Sequence, residues 1–411
     1  MDAEIEVKNP YRPGAGHRPP HLAGRAKELA EFSKLISQET ILSNLMLTGL
    51  RGVGKTVLLE EFRPMAVARG WGWSGTDLSE SASVSEENMA LRIITDLSIV
   101  TSQLVIGKRT VTALGFTGTE NIIEEKLTFA GLRHLYSIAP GLHADKLQLV
   151  LQLAWEALKT SNTKGVVFAY DEAQLINDLR GEKQYPLSLL LQVFQYLQRK
   201  GIPFLLVLAG LPTLLPKLVE ARGYSERMFH VIFLDRLTAD ESREAITRPI
   251  YDSRSPVTFD TTSVSTIVQI SGGYPYFLQF ICREVFDLFI RKVQAGEPAS
   301  VPVEEILRKL DVDFFYPRWA RATDRQRELL NLAAQLPNAD SEFSVRELIE
   351  ASKQGTTRSF SGSQVTQMFS VLADSGLIYK NRHGRYSFAV PMLSGFIKRQ
   401  QPDFAQSEKN V

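Results

Sequence analysis

The stretch that decides the fold of this chain is Leu45-Met46-Leu47-Thr48-Gly49-Leu50-Arg51-Gly52-Val53-Gly54-Lys55-Thr56. Its first four residues are apolar or β-branched and predict a short buried strand. The next eight fit the pattern G-x-x-x-x-G-K-[ST], and helical periodicity continues from Thr56 to Ala68. A strand, a glycine-rich turn and a helix in this order predict a loop that binds phosphate groups.

The glycine-rich loop has the chemistry that a nucleoside triphosphate requires. Its glycines let consecutive backbone N–H groups turn toward phosphate oxygens, and the helix that follows presents its positive end to them. In this pattern Lys55 reaches the β- and γ-phosphates, where it also assists catalysis, and Thr56 binds Mg²⁺. The residues expected to hold ATP or ADP are Gly49, Arg51, Gly52, Val53, Gly54, Lys55, Thr56 and Val57.

A second motif lies at the end of the apolar run Val166-Val167-Phe168-Ala169-Tyr170, which is followed by Asp171 and Glu172. Ligands of parallel sheets bind at the carboxyl ends of the strands, where these carboxylates are expected. Asp171 suits the Mg²⁺ shell, and Glu172 suits the polarisation of an attacking water. The pair could instead only cap a following helix. Beside a phosphate loop, it favours nucleotide hydrolysis.

Five apolar segments without polar alternation are separated by helices, which favours a parallel sheet covered on both faces. About 115 residues lie between Lys55 and Asp171, enough for an additional strand and its helices. The predicted strands are 45–48, 71–77, 165–170, 203–209 and 231–234.

Composition bounds the remaining function classes. The 411 residues are 44% hydrophobic and carry a formal net charge of +1, which excludes disordered and collagen-like chains. The single cysteine, Cys282, excludes an internal disulfide and a thiol metal site. No apolar leader starts the sequence, and its longest uncharged stretch, 261–282, is too polar to cross a membrane. We therefore expect a cytoplasmic protein without a membrane partner.

Several segments resemble AAA+ ATPases of the origin-recognition-like and STAND type, over nearly the whole chain. The resemblance is carried by the motifs above and by 21–28, 209–212, 224–229, 237–241 and 272–279. It implies a three-layer α/β/α domain with parallel strand order 5-1-4-3-2, a helical lid and a C-terminal winged helix-turn-helix. The expected divisions are an extended arm at 1–25, the nucleotide-binding domain at 26–237 with an insertion at about 105–142, the lid at 238–312 and the winged helix at 313–411.

The resemblance also implies further site residues. The leader Leu22-Ala23-Gly24-Arg25 would pack beside the adenine. The element Gly273-Tyr274-Pro275 would bring the lid against the nucleotide, although Pro275 also suits the start of a helix. Arg227 occupies the place of an arginine finger that acts on the γ-phosphate of a neighbouring copy. A surface ion pair of Arg227 with Glu226 or Asp235 is the alternative.

Two departures from this family pattern suggest slow turnover. The fourth strand ends in Ala209-Gly210-Leu211-Pro212, without the polar residue that senses the γ-phosphate in many members, and Thr213 is the nearest hydroxyl. The glycine–proline element lacks an arginine, for which Arg283 is a weak substitute.

The C-terminal region predicts a DNA contact. Its expected recognition helix, 363–370, offers Ser, Gln and Thr side chains that suit groove edges and phosphates. Residues 353–399 contain seven basic residues and one acid, so this segment carries +6 and the rest of the chain −5. A local basic surface is typical of double-stranded DNA binding. The alternative is a winged helix that packs on a protein partner or inhibits its own chain. We expect the aromatic cluster at 314–319 to pack between lid and wing.

The sequence thus predicts a nucleotide-dependent switch that binds ATP and engages DNA. A signalling ATPase that forms homo-oligomers or binds protein partners is the second hypothesis, and tight nucleotide binding without hydrolysis is a third.

The loop assignment makes a direct prediction for Lys55. Replacement of Lys55 by alanine removes the ammonium that would neutralise the β- and γ-phosphates, so nucleotide binding should be abolished. Equilibrium titration with a fluorescent ATP analogue measures the affinity. Full retention of ATP affinity by Lys55→Ala would show that the phosphate site lies elsewhere.

Overall fold

The structure is a computed structural model that describes residues 8–14, 16–102, 105–112, 120–354, 359–382 and 384–400. Parts of several predictions therefore fall outside the described residues. These are the beginning of the arm, 113–119 of the insertion, Arg358 of the basic segment, and the chain beyond residue 400.

The chain divides into two compact units. The first, here called the sheet unit, comprises Arg25–Gly49 and Lys55–Leu234. The second, here called the lid unit, combines Leu50–Gly54 with the described parts of Met1–Gly24 and Asp235–Val411. The segments predicted as lid, 238–312, and as winged helix, 313–411, both belong to the lid unit.

The sheet unit is built on a five-stranded parallel sheet. When its five strands are numbered along the chain, they lie in the order 2-3-4-1-5 across the sheet. This is the predicted order 5-1-4-3-2 read from the other edge, so the prediction is confirmed. Every residue of the first, third and fourth of these strands is buried, as unalternating apolar runs require. The strands of the unit are β1 (Asn44–Thr48), β2 (Trp71–Asp77), β3 (Val105–Thr112), β4 (Glu120–Lys126), β5 (Gly165–Asp171), β6 (Phe204–Gly210) and β7 (Phe229–Phe233), of which β3 and β4 lie outside this sheet.

Helices cover this sheet. They are α1 (Ala26–Leu35), α2 (Lys55–Ala68), α3 (Glu86–Thr101), α4 (Phe129–Ile138), α5 (His143–Thr160), α6 (Pro186–Arg199), α7 (Leu214–Ala221) and α8 (Ser225–Met228). Helix α2 packs on β2, β5 and β6, whereas α3, α5 and α6 pack on one another. Phe168 of β5 meets Phe194 of α6 edge-on, with ring centroids 5.2 Å apart. The apolar side chains of this helix and of the sheet thus belong to one hydrophobic core.

The segment predicted as an insertion contains a hairpin and a helix. Strands β3 and β4 pair antiparallel with each other, and Lys108 lies opposite Glu124 in their register. Helix α4 packs on α3 and α5 and buries Leu132 and Tyr136 in the core of the sheet unit. This helix is therefore part of the domain itself.

The lid unit contains nine helices and a small antiparallel sheet within its described residues. The helices are α9 (Ala239–Asp252), α10 (Thr261–Ser271), α11 (Pro275–Gln294), α12 (Val303–Leu310), α13 (Tyr316–Trp319), α14 (Asp324–Gln335), α15 (Val345–Gln354), α16 (Gly362–Asp374) and α17 (Leu393–Arg399), with a π-helical turn at Asp311–Phe315. The strands β8 (Phe343–Ser344), β9 (Ile378–Arg382) and β10 (Arg385–Phe388) pair in the order β8-β10-β9. Helices α14 to α16, with β8 between α14 and α15 and the hairpin β9–β10 after α16, have the element order expected of a winged helix.

The winged helix and the lid share one hydrophobic core. The ring of Phe315, from the π-helical turn, stacks on Phe396 of α17 with centroids 5.3 Å apart, and Trp319 meets Phe396 edge-on at 6.0 Å. Arg399 of α17 forms an ion pair with Asp311. The prediction that the aromatic cluster packs between lid and wing is confirmed.

The N-terminal arm is extended and lies on the lid helices. Tyr11 is completely buried, and its hydroxyl donates a hydrogen bond to the carbonyl of Ile246 at 2.5 Å. Asn9 donates to the carbonyl of Arg283 at 2.9 Å, and the Arg283 guanidinium donates to the carbonyl of Tyr11 at 3.4 Å. Arg283, named above as a weak substitute for an arginine in the glycine–proline element, thus binds the arm.

Across the described ranges, no helix combines the length and the apolar character that a membrane crossing requires.

The packing of the arm predicts a large effect of Tyr11 on stability. Replacement of Tyr11 by alanine should destabilise the lid unit by about 3–5 kcal/mol, because it leaves a cavity and an unpaired carbonyl in the core. Chemical denaturation followed by tyrosine and tryptophan fluorescence measures the change. Tyr251→Ala is the matched control, because Tyr251 is 76% exposed in the same unit. A loss of unfolding free energy in Tyr11→Ala as small as that in Tyr251→Ala would show that the Tyr11 contact does not stabilise the fold.

Candidate nucleotide-binding site

The phosphate loop begins where β1 ends, at the carboxyl edge of the parallel sheet. Gly49 donates its backbone N–H to the carbonyl of Gly210, the last residue of β6, at 3.4 Å. Helix α2 starts six residues later at Lys55, and its first turn contains no acidic residue. The positive end of the helix is thus available to an anion at this edge of the sheet.

The loop uses its glycines for backbone conformation. Gly52 and Gly54 have φ angles of +80° and +96°, a region that residues with a side chain rarely adopt. A Cβ atom on Gly54 would meet no atom within 4 Å, so the glycine is required there by its backbone angle. The carbonyl of Gly52 accepts a hydrogen bond from the N–H of Tyr276, at the start of α11, at 3.1 Å.

Arg51, predicted to contact the nucleotide, lies against the winged helix. Its guanidinium lies close to Gly376, two residues after the end of α16. A Cβ atom on Gly376 would lie 2.7 Å from the Nη1 atom of Arg51. Gly376 also has a φ of +69°, so glycine is required at this position both by the backbone angle and by the close approach of Arg51. Burial of the Arg318 side chain lowers the pKa of its guanidinium, and the nearby Arg51 charge adds to this effect.

Lys55 follows the glycine-rich loop directly and is the first residue of α2. Its side chain is buried, and its ammonium donates a hydrogen bond to the carbonyl of Gly49 at 2.8 Å. The first and penultimate residues of the phosphate motif are therefore in direct contact. This places the positive charge where a phosphate bound by the loop N–H groups would need it.

Thr56 and Asp171 come together from two non-adjacent strands. The Thr56 hydroxyl donates a hydrogen bond to the Oδ2 atom of Asp171. A hydroxyl and a carboxylate side by side are oxygen ligands that Mg²⁺ prefers, so the residues present fit this ion. Burial raises the pKa of the Asp171 carboxyl, and hydrogen bonds from Thr56 and from the Glu172 N–H partly oppose that shift.

Glu172 has the strained backbone that is frequent at functional sites. Its φ and ψ angles of 51° and 31° are left-handed, which is uncommon for a residue other than glycine. Its N–H donates to the Oδ1 atom of Asp171 at 2.8 Å. Only a single 3₁₀ turn, Ala173–Leu175, follows, and the Glu172 side chain does not cap it. The alternative that this carboxylate merely caps a helix has no support.

Gln174 belongs to this group of residues, although the sequence analysis missed it. Its Nε2 atom donates a hydrogen bond to the Oε2 atom of Glu172. Its Oε1 atom accepts a hydrogen bond from the N–H of Leu211, just after β6, at 3.0 Å. The one signal in the sequence is its place two residues after Glu172, and only the parallel neighbour β6 shows what it reaches.

The leader residues 22–25, also predicted at the nucleotide site, are divided between the two units. Gly24, next to the buried Ala23, approaches α9 so closely that a Cβ atom would lie 2.7 Å from the Glu241 side chain. Arg25 belongs to the sheet unit, where it precedes α1 and lies 3.7 Å from the Glu28 carboxylate. Leu22 belongs to the lid unit together with Ala23 and Gly24.

The glycine–proline element has a structural role in the lid unit. The carbonyl of Gly273 accepts a hydrogen bond from the N–H of Leu237 at 2.8 Å. A Cβ atom on Gly273 would lie 2.5 Å from the Leu237 carbonyl oxygen, so only glycine fits. Pro275 is the first residue of α11, where the fixed φ of proline favours a helix start.

Arg227 lies on the exposed surface of α8. Within the described residues of the sheet unit it forms no ion pair with Glu226. It lines a cavity of about 460 Å³ together with Leu42 and Tyr224. Leu42 is 77% exposed.

The winged helix presents a polar helix face. Ser363, Gln367 and Ser370 are exposed on α16, the expected recognition helix. Gln364 caps its own helix, because its Oε1 atom accepts a hydrogen bond from the N–H of Ser361 at 3.1 Å. The face therefore offers fewer polar groups than the sequence suggests.

The charge of +6 in 353–399 is partly neutralised by acids outside that segment. Arg385 pairs with Glu347 at 3.2 Å, and Arg399 pairs with Asp311. The pKa of Glu347 is lowered, first by the Ser344 hydroxyl that donates to it and also by the charge of Arg385. Lys380 and Lys398 are exposed and remain candidates for phosphate contacts.

A family profile matches the C-terminal part of the chain. Residues 312–397 match a family profile described as a domain of unknown function, DUF8462. A search of curated proteins with the whole sequence finds no match.

Structural comparison covers nearly the whole chain. A Walker-type ATPase of Pyrococcus abyssi is similar with a TM-score of 0.57 and 15% identity, over 96% of this chain and 99% of that one. The ORC2 protein of Aeropyrum pernix, in its ADPNP–ADP complexes, is similar with a TM-score of 0.54 and 12% identity, over 96% and 98%. The chain has the fold of the origin-recognition-like AAA+ ATPases.

Proposed function

We propose that this protein binds ATP with Mg²⁺, hydrolyses it slowly, and acts as a nucleotide-dependent switch that engages double-stranded DNA through its winged helix. The contact of Thr56 with Asp171, beside Lys55 and Glu172, is the observation that carries the ATPase part. These residues come from two separate motifs, and a chance match of either motif alone would not bring them to one edge of the sheet.

The site residues have distinct chemical tasks in this proposal. The loop N–H groups and Lys55 bind the phosphates, and Thr56 and Asp171 hold Mg²⁺, directly or through water. Bound Mg²⁺ would neutralise charge that develops between the β- and γ-phosphates. Glu172 accepts a proton from the attacking water, because its carboxylate follows Asp171 at the same edge of the sheet.

Slow turnover is supported by the end of β6. Gly210 and Leu211 bring only backbone groups to this edge, and the Leu211 N–H is already bonded to Gln174. Arg227 would act on the γ-phosphate of a neighbouring copy, which its exposed position on α8 permits. A site that needs a residue from a second copy turns over slowly as long as the protein is monomeric.

DNA binding is supported by the exposed polar face of α16 and by exposed Lys380 and Lys398. A second function has its own support: the ion pairs of Arg385 and Arg399, and the capping role of Gln364, reduce the surface available to DNA. A winged helix that binds a protein partner would leave these contacts intact. The two functions differ in the salt dependence of their binding.

Glu172→Gln tests hydrolysis. The substitution keeps the shape of the side chain but removes the base, so ATP affinity should stay within about twofold while turnover falls roughly 100-fold or more. Phosphate release and ATP titration are measured on the same preparation. Glu182→Gln, an exposed position in the same unit, is the matched control. Unchanged turnover in Glu172→Gln would contradict the proposed base.

Lys380→Ala tests DNA contact. If Lys380 binds a phosphate, its removal should weaken binding to random duplex DNA and reduce the slope of log affinity against log salt by about 0.9. Gel-shift titrations at several salt concentrations, with ATP and with ADP, measure this slope. Lys27→Ala removes the same charge from an exposed position of the sheet unit. The absence of salt-sensitive DNA binding in the unmodified protein would favour the protein-binding function.

A further inference from the structure

We propose that Gln174 is a positioning residue that holds the Glu172 carboxylate for attack of water on ATP. The proposal rests on the proposed function, since it assumes that Glu172 is the base. It assigns the hydrogen bond to the base to a side chain from the 3₁₀ turn that follows β5.

The side-chain amide of Gln174 uses its two ends for opposite tasks. Its NH₂ group donates to the Glu172 carboxylate, and its carbonyl oxygen accepts from the Leu211 N–H at 3.0 Å. Reversal of the amide would set a carbonyl oxygen against a carboxylate and an NH₂ group against an N–H. Both contacts would then be repulsive, so the chemistry of the two partners determines the orientation of the amide.

The surroundings of Gln174 keep this amide in place. The residue is 7% exposed, so its hydrogen bonds are little weakened by water. Its own backbone carbonyl accepts a hydrogen bond from the Lys217 ammonium at 2.5 Å. Gly210 gives the amide room, because a Cβ atom there would lie 2.7 Å from the Gln174 Oε1 atom.

The hydrogen bond has a consequence for the reaction. It engages the Oε2 atom of Glu172 and so restricts the rotation of the carboxylate, which leaves Oε1 to accept the proton of the attacking water. As this proton moves to Oε1, the water oxygen forms a bond to the γ-phosphorus, and the bond from that phosphorus to the leaving ADP oxygen breaks. A misplaced base can reduce the rate of such a step about 100-fold without changing the affinity for substrate.

Two substitutions separate the positioning role from a structural one. Gln174→Met has nearly the same shape but loses both hydrogen bonds. Gln174→Glu keeps the acceptor for the Leu211 N–H and replaces the NH₂ donor by a carboxyl group, which can bond to Glu172 only by sharing a proton with it. It also places two carboxyl groups at hydrogen-bond distance, where both cannot stay ionised, so Glu172 is impaired as a base.

The experiment measures kcat, KM and ATP affinity for both variants, with thermal unfolding as a check of folding. Gln148→Met, a buried glutamine of α5 in the same unit, is the matched control. We expect kcat to fall roughly 10- to 100-fold in both Gln174 variants, with KM and ATP affinity within about twofold of the original protein. Near-normal kcat in Gln174→Glu would overturn the proposal. The role of Gln174 would then be limited to its hydrogen bond with the Leu211 N–H, which this variant keeps.

A double substitution tests whether Gln174 acts through Glu172. In a Glu172→Gln background the base is absent, so Gln174→Met should cause no further loss of the residual turnover. A further loss as large as that in the original protein would overturn the positioning role while the proposed ATPase stands. Normal turnover in Glu172→Gln alone would instead overturn the proposed base and this inference with it.

Discussion

The contact between the Thr56 hydroxyl and the Asp171 carboxylate depends on the register of three parallel strands. Strand β6 lies between β1 and β5, and Val207 of β6 is paired with Leu45 on one side and with Ala169 on the other. A shift of either pairing by one residue would reverse the faces of the shifted strand and move one motif along the edge. The site thus depends on three strands from separate segments of the chain that end at the same edge of the sheet.

The lid unit illustrates how one core can join segments with different expected functions. The winged helix closes on the lid through Phe315, Trp319 and Phe396, and the phosphate-loop residues Leu50–Gly54 belong to the same unit. Gly52 bonds to the first turn of α11, and Arg51 lies against Gly376. A change in the loop is therefore transmitted by direct contacts within one packed body, which suits a switch.

Sequence reasoning placed structural elements correctly where their signals are close along the chain. The phosphate loop, the acidic strand end and the start of α11 at Pro275 each occupy a few consecutive residues whose chemistry can be recognised locally. It failed for the contact of Gln174 with Leu211 and for the pairs of Arg385 and Arg399, because these partners lie 37 to 88 residues away. It also missed β8 and α17, a strand of two residues and a helix of seven, which are too short for periodicity to detect.

The sequence by itself determined the phosphate-binding pattern, the carboxylates at the end of β5, and the order of the five parallel strands through its resemblance to a family. These follow from local residue spacing, which survives without knowledge of distant contacts. Only the tertiary structure decided which side chain holds Glu172, which basic residues of the winged helix are already paired, and that the arm is anchored by Tyr11. The pairs of the winged helix and the anchoring of Tyr11 depend on partners that the packing of the core brings together. Gln174 is close to Glu172 in the sequence, but its amide is oriented by the Leu211 N–H, which only the neighbouring strand β6 brings near.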